Sequence, residues 1–143
     1  MSPRFSADQI FATVATLAVV AGVLAGFWVL GTPGRQRAIA ADRQRLQDLQ
    51  SIAADLHFRY QDSDDFQLPA SLDAERQQRD PLTDEPYEYR SLSDTTYELC
   101  AEFATDSSTY PLRNTARRNE FWQHPAGEHC FEFEVDEQPP SVY

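Results

Sequence analysis

Two cysteines, three histidines and a group of aspartates are the side chains of this 143-residue chain best suited to chemistry. Cys100 lies in T-Y-E-L-C-A-E-F and Cys130 in H-C-F-E-F-E-V. A zinc site would draw on Cys100, Cys130, His124 and His129, yet the sequence has neither C-x-x-C nor H-x-x-x-H spacing. A catalytic thiol needs a base and an electropositive setting, whereas these cysteines lie among glutamates. A disulfide needs only that the two residues meet. The even count and the small core favour that reading, and closing the loop between them would contribute roughly 3–4 kcal/mol in the chain-entropy model.

The remaining candidates suggest less. Asp62, Asp64 and Asp65 could hold calcium, but Q-D-S-D-D lacks the glycine and spacing of an EF-hand loop. A solvated acidic turn is the expectation there. His57 falls beside the apolar stripe of a helix, and His124 and His129 flank the turn Pro125-Ala126-Gly127, so packing or capping is expected of all three. There is no G-x-S-x-G, no H-E-x-x-H and no phosphate-binding glycine loop. These residues point to no catalytic site, no metal, no cofactor and no small-molecule substrate.

The elements that must position the cysteines are strands. Tyr87 to Leu92, Thr96 to Phe103 and His129 to Val135 have strand patterning, and Ser93-Asp94 suits a tight hairpin between the first two. Side chains alternate along a strand. Tyr97, Leu99, Ala101 and Phe103 therefore share one face, with Glu98, Cys100 and Glu102 on the other. Likewise Phe131, Phe133 and Val135 oppose Cys130, Glu132 and Glu134. Both cysteines are placed on the charged, solvent side of a sheet whose other face is aromatic. If the two strands are neighbours, a cross-strand disulfide follows naturally.

Upstream, Ile10 to Leu30 is an uncharged run of twenty-one residues. As a helix it would be about 31 Å long, the thickness of a bilayer's hydrocarbon core. Trp28 sits near its end, where an indole prefers the interface. A cleaved signal peptide is the competing reading, with Ala38-Ile39-Ala40 as a small-x-small site. The apolar run is longer than the ~7–15 residues of a signal core, and Arg35 and Arg37 separate it from that site. Within the run Ala18, Gly22 and Gly26 recur every four residues, a small-residue stripe of the kind that lets helices approach closely in lipid.

Gly31-Thr32-Pro33-Gly34 breaks or bends the helix, and Thr32 can cap a new one with Pro33 at its first position. Ile39, Leu46, Leu49, Ile52, Ala53, Leu56 and Tyr60 then recur at helical spacing, with Arg, Gln and Asp expected elsewhere. Asp42, at a seam position, argues against a coiled coil, so the stripe is expected to bury against the protein's own sheet. Leu68-Pro69-Ala70-Ser71-Leu72 reads as a short helical turn, Asp106 to Glu120 as a mobile loop and Gln138-Pro139-Pro140 as a frayed tail.

The charge fits this division. The net charge is −11, and residues 35–143 carry all of it, which excludes a phosphate backbone as a partner. A disulfide places the domain outside the cytoplasm. Arg35, Arg37, Arg43 and Arg45, following the span, argue the other way by the positive-inside rule.

An N-terminal span, a long amphipathic helix and a small antiparallel sheet together resemble the type IV pilin and type II secretion pseudopilin superfamily. L-Q-S-I-A-A-D-L-H-F-R-Y-Q followed by L-P-A-S-L is similar to the pseudopilin passage from helix to loop. D-P-L-T-D-E-P-Y-E-Y-R followed by Y-E-L-C-A-E-F is similar to the D-P-x-G-x-P-Y-x-Y of major pseudopilins. It is closer still to single-pass bacterial proteins with D-P-x-T-x-x-P-Y-E-Y, Y-E-L-C and H-C-F elements. The likeness covers most of residues 36–135. Ser6-Ala7-Asp8-Gln9-Ile10 departs from prepilins, having neither their cleavage-site glycine nor their glutamate five residues in. What the resemblance implies is therefore the architecture, with the globular end outside.

The expected fold is α+β, pilin-like. It comprises a flank (1–9), a transmembrane helix (10–30), a linker and amphipathic helix (31–60), a small extracytoplasmic domain with about three strands (61–137), and a tail (138–143). The expected function is that of a non-enzymatic, pseudopilin-like subunit in the inner membrane. It would contact the lipid bilayer and other membrane proteins through its span. The alternative is a single-span accessory subunit of a larger integral complex. Full-length protein is expected to need detergent for extraction, while a chain beginning at Arg35 is soluble. A mature chain found by mass spectrometry to start at Ala41 would instead identify a cleaved signal.

Overall fold

The computed structural model describes residues 6–30, 32–63, 65–73, 77–110 and 120–142. The chain divides into two compact units, Met1–Gln36 and Arg37–Tyr143. The first is dominated by helix α1, Ala7–Leu30. It starts three residues before the expected span because Ser6 and Gln9 form a capping box. The Ser6 hydroxyl accepts from the Gln9 N–H at 3.3 Å, and the Ser6 N–H donates to Gln9 Oε1 at 3.1 Å. Thr13 and Thr16 donate to the carbonyls of Gln9 and Ala12, both at 2.8 Å, so neither hydroxyl needs an outside partner.

Helix α2 runs Pro33–Asp62. Its start is the expected one: Thr32 Oγ1 accepts from the Arg35 N–H and Pro33 occupies the first turn. Ile39, Leu46, Leu49, Ile52, Ala53 and Leu56 are buried as their spacing predicts, joined by Ala41. Tyr60 is not: it stays exposed and meets Phe66 edge-on. A second correction matters more. Arg45 lies fully buried inside the stripe and not on the polar side, beside Asp42, whose seam position is buried as well.

Three strands, β1 (Glu88–Ser91), β2 (Thr96–Phe103) and β3 (Gly127–Glu134), form one antiparallel sheet in the order β1-β2-β3. The fold is α+β, as expected. The hairpin turn sits where Ser93-Asp94 placed it, with Ser93 Oγ accepting from the N–H groups of Thr95 and Thr96. β3 begins two residues early at Gly127, whose φ of +101° is one that residues with a Cβ rarely adopt. The inner face supplies Tyr97, Leu99, Phe103, Phe131 and Phe133 to a core shared with Leu46, Leu49, Ile52, Ala53 and Leu56 of α2. Tyr97 stacks on Phe133 at 5.4 Å, and Trp122 caps Phe131 at 5.0 Å. Burying a side chain as completely as Leu49 contributes roughly 1.5–3 kcal/mol.

Two further expectations fail. Residues 68–72 form no helical turn; Leu68 and Leu72 reach the core from an irregular segment in which Pro69 lacks the N–H a helix would use. The tail is not frayed. The Trp122 indole donates to the Pro140 carbonyl at 3.0 Å, the Val142 N–H donates to Gln50 Oε1, and Val142 is buried in the core. A short apolar anchor at the end outweighs the Pro-rich approach to it. Of the expected mobile loop, 111–119 lies outside the described residues, as does Asp64 of the acidic turn. At the loop's start, Ser107–Thr109 is a 3-10 turn capped by Asp106.

Candidate functional site

Cys100 and Cys130 are register partners in the β2–β3 ladder, with Cα atoms 4.0 Å apart, and they are joined as a disulfide. The bond is less open than a solvent face would make it. Cys100 is only 2% exposed, with Glu88 of β1 opposite it in the ladder. The segment leading into β1 lies on the far side of a cleft of about 340 Å³, lined by Cys100 with Arg45, Asp80, Glu85, Glu102 and Glu128. Among the described residues, the donors close enough to share a metal are Glu98, Cys100 and Cys130. Two of these three are bonded to each other. The structure does not bring His124 and His129 to the sulfurs, so the zinc and thiol-nucleophile readings of these cysteines fall away.

The histidines are structural, as expected. Gln61 donates to His57 Nε2 at 2.9 Å, which leaves Nδ1–H to donate to the Val135 carbonyl at 2.8 Å. His57 thereby ties α2 to the residue after β3. His124 is 3% exposed and stacks on Phe103 at 3.7 Å. Burial lowers its pKa and holds it neutral. One tautomer satisfies both its nitrogens: Nδ1–H donates to the Pro125 carbonyl, and Nε2 accepts from the Tyr110 hydroxyl. His129 packs edge-on against Phe131 at 4.8 Å.

The feature missed in the sequence is a buried ion cluster on α2. Arg45 donates through Nε and Nη2 to the two oxygens of Asp80, and through Nη1 to Asp42 at 2.7 Å. Asp42 also accepts from the N–H groups of Ala104 and Thr105, both at 2.9 Å, and from the Thr105 hydroxyl at 2.6 Å. Asp80 accepts from the N–H groups of Leu82 and Thr83 at 2.8 and 3.0 Å. One turn further along α2, Asp48 accepts from the Tyr87 hydroxyl at 2.8 Å. The D-P-L-T-D-E-P-Y segment is thus a loop folded around its own aspartate and held to the helix at both ends, with Asp84 at a positive φ of 59°.

Electrostatics follow from the geometry. Burial opposes the Arg45 charge, but its hydrogen bonds to Asp80 and Asp42 outweigh that and raise its pKa. Burial likewise opposes ionisation of Asp80, yet Arg45 and the backbone N–H groups of Leu82 and Thr83 hold it below the usual carboxylate range. Burial, then Asp48, pushes the Tyr87 phenol up. Each carboxylate oxygen and each guanidinium nitrogen of the cluster has a partner within the protein, so it acts as a lock between α2 and two loops. The sequence did carry a signal for it: an oppositely charged i, i+3 pair, Asp42 and Arg45, interrupting an apolar stripe.

Ala18 and Gly22 are exposed on α1 and Gly26 is half-buried. A Cβ added at either glycine would meet no atom within 4 Å. No protein-family model, curated protein or solved structure matches the sequence.

Two outcomes are expected of the ion cluster. Arg45→Met would strand two buried carboxylates and should cost about 3–5 kcal/mol, measured by urea unfolding in a nonionic detergent. The pKa of Asp80 is depressed in the folded state, so its contribution is complete above the unfolded value of about 4 and is lost as pH falls through the folded one. Unfolding midpoints should therefore hold steady down to about pH 5 and drop below pH 4. Asp80→Asn should lower the plateau and flatten that acid limb.

Proposed function

We propose that this chain is a non-enzymatic single-pass membrane protein, a pseudopilin-like structural subunit of a bacterial envelope assembly. Its small domain stands outside the cytoplasm. The observation that carries this reading is the contrast between the two units. The domain saturates its buried cluster internally and fills its core from its own sheet. α1 is exposed along almost its whole length and is long and apolar enough to cross a membrane. A helix apolar all round belongs in hydrocarbon, and its threonines, bonded within the helix, suit that solvent. The disulfide favours an oxidising compartment for the domain.

The alternative, a single-span accessory subunit of a larger integral complex (respiratory, photosynthetic or transport), is favoured by one observation. α1 opens with the Ser6–Gln9 capping box where a prepilin would carry its glycine and glutamate. That box starts the helix without either residue.

In both readings the partner is held by α1. A Cβ at Gly22 or Gly26 meets nothing within 4 Å beyond the helix's own neighbouring backbone, so isoleucine at both should leave insertion and the disulfide intact. Recovery of the partner in mild detergent should fall at least about tenfold if close packing contributes roughly 1.4 kcal/mol or more. Full retention by the double variant, with capture by the isolated domain, would assign binding to the domain instead. A fibre or secretion platform among the recovered proteins supports the first reading, and a stoichiometric multi-span complex the second.

A further inference from the structure

The outer face of the sheet carries an arrangement that the fold does not need. In the β2–β3 register, Glu98 stands opposite Glu132 and Glu102 opposite Glu128, one pair on each side of the Cys100–Cys130 pair. Glu88 faces Cys100 from β1, and Glu134 faces Thr96. Like charges placed directly across a ladder are destabilising. One arginine of the strands shares this face: Arg90, held between Glu88 at 2.6 Å and Glu98 at 2.9 Å. The neighbouring cleft adds Arg45, whose charge Asp42 and Asp80 already match, and Glu85. Same-face neighbours two residues along a ladder lie about 7–8 Å away. That is about one screening length in physiological salt, so the glutamates act on the disulfide at roughly 0.4 of their unscreened strength there, and almost fully in dilute salt.

We propose that this face is an electrostatic guard, which slows reduction of the Cys100–Cys130 bond by anionic thiols selectively. The inference is independent of the membrane reading. In the reaction at issue, an external thiolate sulfur bonds to Cys130 Sγ, the more exposed of the two. The Cys100–Cys130 bond breaks, and its electron pair leaves on Cys100 as a thiolate. A second external thiolate then attacks the mixed disulfide, releasing the oxidised reductant and the Cys130 thiolate. Both the approach of an anion and the appearance of a buried thiolate beside glutamates are opposed by the same field. A neutral thiol reacts through a thiolate too, but its carbon end adds no second negative charge, so it meets the field once. An anionic thiol meets it twice, and a zwitterionic aminothiol carries a compensating positive charge.

The test compares three small thiols of similar size on the full-length protein in nonionic detergent: mercaptoethanesulfonate, mercaptoethanol and mercaptoethylamine. Rates are followed by alkylation and intact mass, expressed per thiolate, and normalised to the same thiols acting on an uncharged small disulfide. At about 10 mM salt the sulfonate should be slower than mercaptoethanol by about tenfold or more, with the amine fastest. At about 1 M salt, where the screening length is only ~3 Å, the three should converge. Glu102→Gln with Glu128→Gln should raise the sulfonate rate several-fold while changing the mercaptoethanol rate little. Normalised rates independent of thiol charge would overturn the proposal, as would a charge dependence that survives high salt. Because the salt series uses the unaltered protein, it decides the matter even if the variant folds poorly.

Discussion

Everything in the domain is placed relative to Arg45. A guanidinium that is 3% exposed would be intolerable alone, and the structure answers it with Asp80 on one side and Asp42 on the other. Those two carboxylates are in turn committed to backbone N–H groups from two distant segments, 82–83 and 104–105. An apolar stripe can slide along an aromatic sheet by a turn and still bury much of its area. A polar lock of three charged side chains cannot. The cluster therefore fixes where along α2 the loop before β1 and the exit of β2 must sit, and hydrophobic burial then acts on a register already defined.

The other ties extend that register toward the far end of the sheet. His57 holds the helix to the carbonyl of Val135, and Gln50 receives the N–H of Val142, so the chain's last described residues return to the same helix. The disulfide joins β2 to β3 at the middle of their ladder. α2 is thus both a core element and a rack of polar hooks, at Asp42, Arg45, Asp48, Gln50 and His57. Its average polarity, unusual for a helix that lies on a core, follows from holding loops as well as burying leucines.

Much of this was legible in the sequence, and the reasons are physical. The period-two pattern of T-Y-E-L-C-A-E-F gives the strand and the face of Cys100, while its pairing with Cys130 rested on β2 and β3 being neighbours, which they are. The Thr32-Pro33 signal fixed the start of α2. What was not legible depended on partners far along the chain. Asp42 and Arg45 are visible as a charged pair interrupting the stripe, but their partners, Asp80 and the 104–105 amides, lie far along the chain and no local rule supplies them. The tail was misread because proline-rich composition speaks to chain stiffness, whereas its order rests on one tryptophan N–H and one valine. Alternation gives the face of Cys100 correctly, but its burial depends on a third strand, β1, whose Glu88 lies opposite it.

The cross-strand disulfide also changes what a break in the chain would mean. Because Cys100 and Cys130 are bonded, the backbone between them is a closed covalent ring from the middle of β2 to the middle of β3. That ring includes the 3-10 turn and the Phe121-Trp122 pair that covers Phe131 and Phe133. A single proteolytic cut anywhere in the ring would yield two fragments that still migrate as one molecule. β3 would remain held in register by a bond that the protease does not recognise. Such a cleavage would be silent to size under oxidising conditions, and would appear only when the sulfurs are separated.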